Sequence, residues 1–122
     1  MTRMTAAGIA VPLILPRLSF SSPATGLLQH AAIGVGGQGA YDLDCINKSG
    51  KVKVYALCDI DELTLQKAAA QYPDARLYRD WREMLETEEG NIDSVNVSTP
   101  DHTHAPAAMT AMRKKIHVFC EK

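Results

Sequence analysis

The sequence predicts an α/β fold: a doubly wound parallel sheet of about five strands with helices on both faces. Three observations carry that expectation. From residue 30 onward, short apolar runs alternate with segments of helical periodicity. A glycine-spaced turn, Gly34-Val35-Gly36-Gly37-Gln38-Gly39, joins the first apolar run to the first helical segment. A carboxylate, Asp59, closes the second apolar run. Strands buried on both faces and linked through helices pair in parallel, by right-handed crossovers.

The elements follow in order. The first strand is expected over residues 30–35 and the first helix over 37–48, with Ala40, Leu43 and Ile46 at helical spacing. Ser49 and Gly50 stop that helix, and residues 52–58 form a second strand, nearly all apolar apart from Lys53. The next helix buries Leu65, Ala68, Ala69 and Tyr72, and Pro73 ends it. A short third strand spans 75–78. Asp80 and Glu83 then resemble a capping box that opens a helix packing Trp81, Met84 and Leu85. Gly90 and Asn91 turn the chain into a fourth strand at 94–98. Pro106 suits the first turn of a helix over 105–112, and 116–119 is the fifth strand.

The chain has 122 residues, enough for one domain with a core, and a net charge of −1 with acids and bases mixed. No basic stripe points to nucleic acid, and no apolar run reaches the roughly 18–20 residues of a membrane span. Residues 1–29 differ from the rest. An apolar stretch at 6–15 lies between Arg3 and Arg17 and is interrupted by Pro12, and a Ser-, Pro-, Thr- and Gly-rich linker occupies 19–29. That pattern fits an export-signal-like segment and equally an N-terminal extension, so exported and cytoplasmic locations both stay open. Residues 30–122 are expected to form the folded domain. Cys45, Cys58 and Cys120 make no C-x-x-C pair. In a sheet of order 3-2-1-4-5, Cys58 and Cys120 have two strands between them, too far for a disulfide at roughly 4.8 Å per strand. All three are expected to be small, buried or half-buried hydrophobes.

In such a sheet a ligand sits at the carboxyl ends of the strands. The glycine turn, Asp59, Thr99 with Pro100, and Glu121 with Lys122 all fall on that rim. The turn has the G-x-G-x-x-G spacing that places a dinucleotide pyrophosphate on a helix N-terminus. Gly34 allows the tight turn, Gly36 lets backbone approach the phosphates, and Gly39 lets the helix lie close to the sheet, with Gly37 and Gln38 between them. Asp59 would accept hydrogen bonds from the adenosine ribose hydroxyls, or else cap the following helix. Asp61 and Glu62 add negative charge, and no Arg or Lys follows to receive a 2′-phosphate. NAD is therefore expected ahead of NADP. His102 and His104 stand two apart in a loop, which is weak grounds for a metal site.

With these residues assembled, the chain resembles the N-terminal half of a Gfo/Idh/MocA-family oxidoreductase. The resemblance covers residues 30–122. It rests on the glycine turn, Cys58-Asp59-Ile60-Asp61, Ser98-Thr99-Pro100-Asp101-His102-Thr103-His104, and a closing His117-Val118-Phe119-Cys120-Glu121-Lys122 that matches the family's Glu-Lys-Pro signature up to its proline. Asp101 stands where the family often has Asn, and Lys115-Ile116 where it usually has Gly-Lys. If Lys115 takes a left-handed conformation there, it costs about 1 kcal/mol.

The resemblance implies a Rossmann domain, with a C-terminal substrate domain lying outside this sequence. It implies hydride transfer between a nicotinamide and a sugar, polyol or related secondary alcohol in the whole protein. For this chain alone, enzymatic activity stays open. It assigns Thr99 and Pro100 to dinucleotide contact, His104 to capping the next helix or to the nicotinamide end, and Glu121 to the cofactor site. Lys122 becomes the catalytic residue, hydrogen-bonding the hydroxyl that is oxidised; a terminal Lys is otherwise frayed and solvated. His117 reads as structural. A small-molecule substrate is implied for the whole protein, and a homo-oligomer is compatible with it. An NAD-dependent glycosidase, a non-catalytic nucleotide-binding module or a truncated product are the alternatives, and a methyltransferase fits the Thr-Pro and Glu-Lys elements poorly.

Overall fold

The computed structural model describes residues 26–122. Nine elements alternate: β1 (Leu28–Ile33), α1 (Gln38–Lys48), β2 (Val52–Cys58), α2 (Glu62–Gln71), β3 (Arg76–Tyr78), α3 (Trp81–Thr87), β4 (Ser94–Val97), α4 (Asp101–Arg113) and β5 (His117–Cys120). The strands form one parallel sheet in the order β3-β2-β1-β4-β5, as the sequence predicts. The segment resembling an export signal lies outside the described residues.

Several boundaries shift for physical reasons. β1 begins at Leu28, not at residue 30, because Leu28 and Gln29 pair with Val52 and Lys53. Two residues assigned to a linker thus belong to the sheet. β3, β4 and β5 each move by about a residue at one end or both. The largest correction is α4, which starts at Asp101, a full turn before the expected 105. Pro106 therefore sits inside the helix. The helix gives up the backbone bond Pro106 cannot donate, and the Pro106 carbonyl accepts from Thr110 Oγ1 at 2.7 Å.

Each sheet face carries its own core. On the α3 and α4 side, Ile33, Ala56, Met84, Leu85, Val95, Val97, Ala107 and Ala111 pack together. On the α1 and α2 side, Ala32, Leu43, Val54, Leu57, Leu65 and Ala68 do so. In α1 the buried residues are Gly39, Asp42 and Leu43, whereas Ala40, placed on the apolar stripe from its spacing, is exposed. Cys58 is buried, but Cys45 and Cys120 are exposed, contrary to the expectation of three sheltered thiols.

β2 carries a slip. His30 pairs with Val54 and Ala31 with Ala56, so Tyr55 is an extra residue in the ladder. Tyr55 and Ala56 consequently face the same core. The Tyr55 hydroxyl donates to Glu88 at 3.0 Å, beside donors from Tyr78, Arg76 and Asn91. Glu88 is fully buried. Burial alone would raise its pKa, but the hydrogen bonds from Tyr78, Asn91 and Tyr55, with the Arg76 charge, hold it below the usual carboxylate range.

Two helix ends are fixed by the residues that stand at them. Asp80 caps α3, its carboxylate accepting from Arg82 N at 2.8 Å. At the end of α4, Lys115 has φ 60°, the left-handed conformation anticipated where the family usually has glycine. Lys115 N donates to Met112 O and Ile116 N to Ala111 O, at 2.9 and 3.0 Å, which is the Schellman pattern.

Candidate functional site

A cleft of about 700 Å³ opens at the carboxyl ends of β1, β2 and β4. Gly34, Gly36, Asp59, Thr99 and Pro100 line it together, joined by Ile60, Arg79, Trp81, Arg82 and His102. Five residues singled out from sequence thus meet around one volume.

The glycine turn is shaped by close approach. Gly34 has φ 85°, and a Cβ there would lie 2.5 Å from the Ser98 carbonyl oxygen. A Cβ on Gly39 would land on the Gly34 carbonyl oxygen, so α1 can leave the sheet this tightly only without a side chain. A Cβ on Gly36 would meet Thr64 Cγ2 at 2.7 Å. Gly37 is the N-cap residue, so the helix proper starts at Gln38, one residue after the expected 37. The amides of Gly36, Gly37 and Gln38 precede the first complete turn of α1 and have no intrahelical acceptor. Bare backbone, unpaired amides and the positive end of a helix are what a pyrophosphate requires.

Asp59 is tied down before any ligand arrives. Its Oδ2 accepts from Val35 N at 3.0 Å and its Oδ1 from Asp61 N at 2.9 Å. A carboxylate offers about four lone-pair sites, so capacity remains for a ribose diol. The helix-cap alternative for Asp59 is excluded, because Asp61 caps α2 by accepting from Leu63 N and Thr64 N. Those bonds, Thr64 N first, hold the Asp61 carboxyl below its ordinary value. Cys58, one residue earlier, is driven by burial to a pKa of about 12 and stays a thiol.

The loop after β4 closes the other side. His104 Nε2 donates to the Thr99 carbonyl at 2.5 Å, so this imidazole braces the loop from within α4 and does not line the cleft. His102 does line it. Both histidines lie in the first turns of α4 rather than in a loop, and residues two apart on a helix face different directions. Gln38 turns its side-chain amide onto Asp42 Oδ1 at 2.8 Å, leaving only its backbone to face a phosphate. Glu121 extends the β5 ladder through its N–H to Val97 O at 2.9 Å, and Lys122 is exposed. Neither lines the cleft.

Sequence reasoning missed Arg79, Trp81 and a buried chain of polar groups. Arg79 comes from the end of β3, where its Nη2 donates to the Ile60 carbonyl at 2.8 Å and its Nε lies 3.6 Å from Glu62. No local pattern signals this, since the partners are about twenty residues apart. The polar chain had a signal: Asp42 occupies the buried stripe of α1, and His30 and Asn96 interrupt two central strands. Burial lowers the pKa of His30, against a smaller opposing pull from its Asn96 bond, so the ring is neutral at pH 7.

Fold and cleft together define a dinucleotide-binding Rossmann domain. The chain belongs to the Gfo/Idh/MocA oxidoreductases: the model of the "Oxidoreductase family, NAD-binding Rossmann fold" matches residues 28–122. It is 36% identical over 102 residues to a glycosyl hydrolase family 109 protein of Stenotrophomonas maltophilia, covering 75% of this chain and 22% of that protein. It is 29% identical over 95 residues to myo-inositol 2-dehydrogenase of Thermotoga maritima, covering 78% and 28%. The crystal structure of myo-inositol 2-dehydrogenase from Lactobacillus plantarum superimposes with a TM-score of 0.71 at 32% identity, covering 79% and 28%. The chain therefore spans about a quarter of the length of these relatives. NAD is the cofactor of the family to which it belongs.

Proposed function

We propose that this chain holds the NAD of an oxidoreductase that moves a hydride between nicotinamide and a secondary alcohol carbon of a sugar, polyol or related cyclic substrate. The observation that carries the reading is the meeting of Gly34, Gly36, Asp59, Thr99 and Pro100 around one cleft. The amides of Gly36, Gly37 and Gln38 receive the pyrophosphate, Asp59 accepts the adenosine ribose hydroxyls, and Thr99 with Pro100 walls the nicotinamide side. NAD, when bound, supplies the hydride acceptor. Lys122 follows the strand beside β4 and is the group we assign to the substrate hydroxyl, where an ammonium stabilises charge developing on oxygen. Glu121 stands next to it on the cofactor side.

Similarity to the family 109 protein, and to an α-N-acetylgalactosaminidase of Bacteroides fragilis at 32% identity over 112 residues, favours a second reading. There the same oxidation of a sugar is transient and a glycosidic bond is broken. The two readings share the NAD site. They separate in a longer protein that carries these residues: a dehydrogenase accumulates NADH with a polyol, whereas a glycosidase releases the aglycone with no net NADH.

The site itself is tested by titrating the chain with NAD, NADP and S-adenosylmethionine by calorimetry. Trp81, the single tryptophan, lines the cleft and gives a parallel fluorescence readout. Binding of NAD with quenching of Trp81 is the expected result. S-adenosylmethionine binding without NAD binding would overturn the reading.

A further inference from the structure

Behind the glycine turn runs a continuous line of side-chain hydrogen bonds. Ser94 Oγ and His30 Nδ1 are 2.8 Å apart, His30 Nε2 meets Asn96 Oδ1 at 3.0 Å, and Asn96 Nδ2 donates to Ser98 Oγ at 3.1 Å. Ser98 Oγ then donates to Asp42 Oδ2 at 2.7 Å, and Gln38 Nε2 donates to Asp42 Oδ1 at 2.8 Å. His30, Asn96 and Asp42 are all buried. Every donor is oriented toward Asp42, the acceptor-only terminus of the line.

The two groups that donate to Asp42 belong to the two segments that flank the cleft, the glycine turn and the loop after β4. Gln38 is the first residue of α1 and part of the glycine turn. Ser98 opens the loop that continues into Thr99 and Pro100. Its carbonyl crowds Gly34, its Cβ would lie 3.2 Å from a Cβ on Gly39, and its N–H donates to Ile33 O at 2.8 Å. Asp42 occupies a position where the helical stripe calls for an apolar residue, and burying a carboxylate there carries a desolvation cost. No cation pairs with it among the described residues. What the acid contributes is direction: one oxygen for each wall.

We propose that Asp42 and Ser98 are positioning residues for the dinucleotide, tying the pyrophosphate-binding turn to the loop after β4 so that both walls meet the ligand at a fixed separation. The proposal rests on the NAD reading above. Neither side chain touches the phosphates in this role. They act through the backbone of residues 36–39 and through Thr99.

The test uses the full chain and four variants: Ser98→Ala, Asp42→Ala, their combination, and Asp42→Asn. NAD affinity is read by calorimetry, adenosine affinity by NMR shift titration, and the firmness of the turn without ligand by hydrogen exchange of the Gly39 and Tyr41 amides, which donate to Gly36 O and Gly37 O. Ser98→Ala and Asp42→Ala should each weaken NAD about tenfold, the order of one charge-assisted hydrogen bond. The double variant should be no weaker than the worse single one, because both remove the same tie. Asp42→Asn should recover most of the affinity, since Gln38 can turn its amide to accept where it now donates. Adenosine lacks phosphates and should bind all variants alike, whereas exchange of the Gly39 and Tyr41 amides should speed up in the alanine variants. Unchanged NAD affinity, additive losses, or equal losses for adenosine would each overturn the proposal. A wild-type chain that ignores NAD would remove the cofactor reading instead, and the exchange rates would still decide whether the tie holds the turn.

Discussion

The carboxyl ends of β1 and β2 and the carboxyl end of β5 share one rim of the sheet, yet they are built differently. At the first, Asp59 accepts from Val35 N and Asp61 N, Gly34 N donates to Cys58 O, and Gly39 packs against the turn it follows. At the second, Glu121 N to Val97 O is the bond that continues the ladder, Phe119 is 50% exposed and Lys122 is exposed. The same contrast shows on the α1 face. α1 and α2 cover β1 and β2, while a groove of about 390 Å³ lies over β4 and β5, with His117 and Phe119 along it. The half that would hold phosphates and adenosine is preorganised in this chain. Glu121 and Lys122, which we assign to the nicotinamide and substrate side, stand outside the cleft at a more open edge.

The contrast can be broken most severely at Gly39. Gly39→Val drives a side chain into the Gly34 carbonyl and should cost at least about 3 kcal/mol, the upper range of overpacking, read as a fall in the urea midpoint. Asp59→Ala comes next: NAD affinity should drop roughly tenfold or more, since the ribose loses its acceptor and two amides lose theirs. NADP should suffer less, and calorimetry with both dinucleotides checks it. Equal losses would remove Asp59 from its assigned role.

Lys115→Gly should sharpen the picture from the other half. Relieving the left-handed lysine should stabilise the fold by about 1 kcal/mol, with NAD affinity unchanged. His30 predicts a smaller, pH-dependent effect. Its folded pKa lies below the unfolded value of about 6.5, so the unfolded chain binds more protons between those two values. Stability is fully present above that unfolded value and is lost as pH falls through it toward the folded one. Comparing urea midpoints at about pH 7 and about pH 5.5 for wild type and His30→Asn should show the slope only in the former. The smallest effect on stability is expected at the edge. Phe119→Lys should change it by less than about 0.5 kcal/mol while reducing concentration-dependent self-association, measured by light scattering, because an exposed apolar edge strand is a pairing template.

What the sequence made legible was whatever depends on local pattern. The succession of strands and helices, the glycine turn and the Asp80 cap each follow from a few neighbouring residues. Strand order follows from the fold that this succession defines, and the left-handed Lys115 from the resemblance to a family that usually has glycine there. The start of α4 did not, because Pro106 suggests a helix beginning, whereas the turn upstream of it follows an N-cap at Pro100 and is held by His104 Nε2 donating to the Thr99 carbonyl. Arg79 and Thr64 reach the site through the fold, from other elements. Asp42 was half legible. Its place on an apolar stripe was an anomaly, but its partner Ser98 is fifty-six residues away, and no periodicity reports a contact at that distance.

The slip at Tyr55 has a consequence of its own. In an ordinary strand, losing one residue throws every later side chain onto the opposite layer. Here β2 already runs one residue out of phase, and the surplus is the tyrosine that reaches Glu88. Removing Tyr55 alone would bring the strand back into step, leaving Leu57 and Cys58 on their present layers and sacrificing one tether to a sequestered acid. A central strand of this domain therefore contains a place where shortening the chain is a repair of rhythm before it is damage.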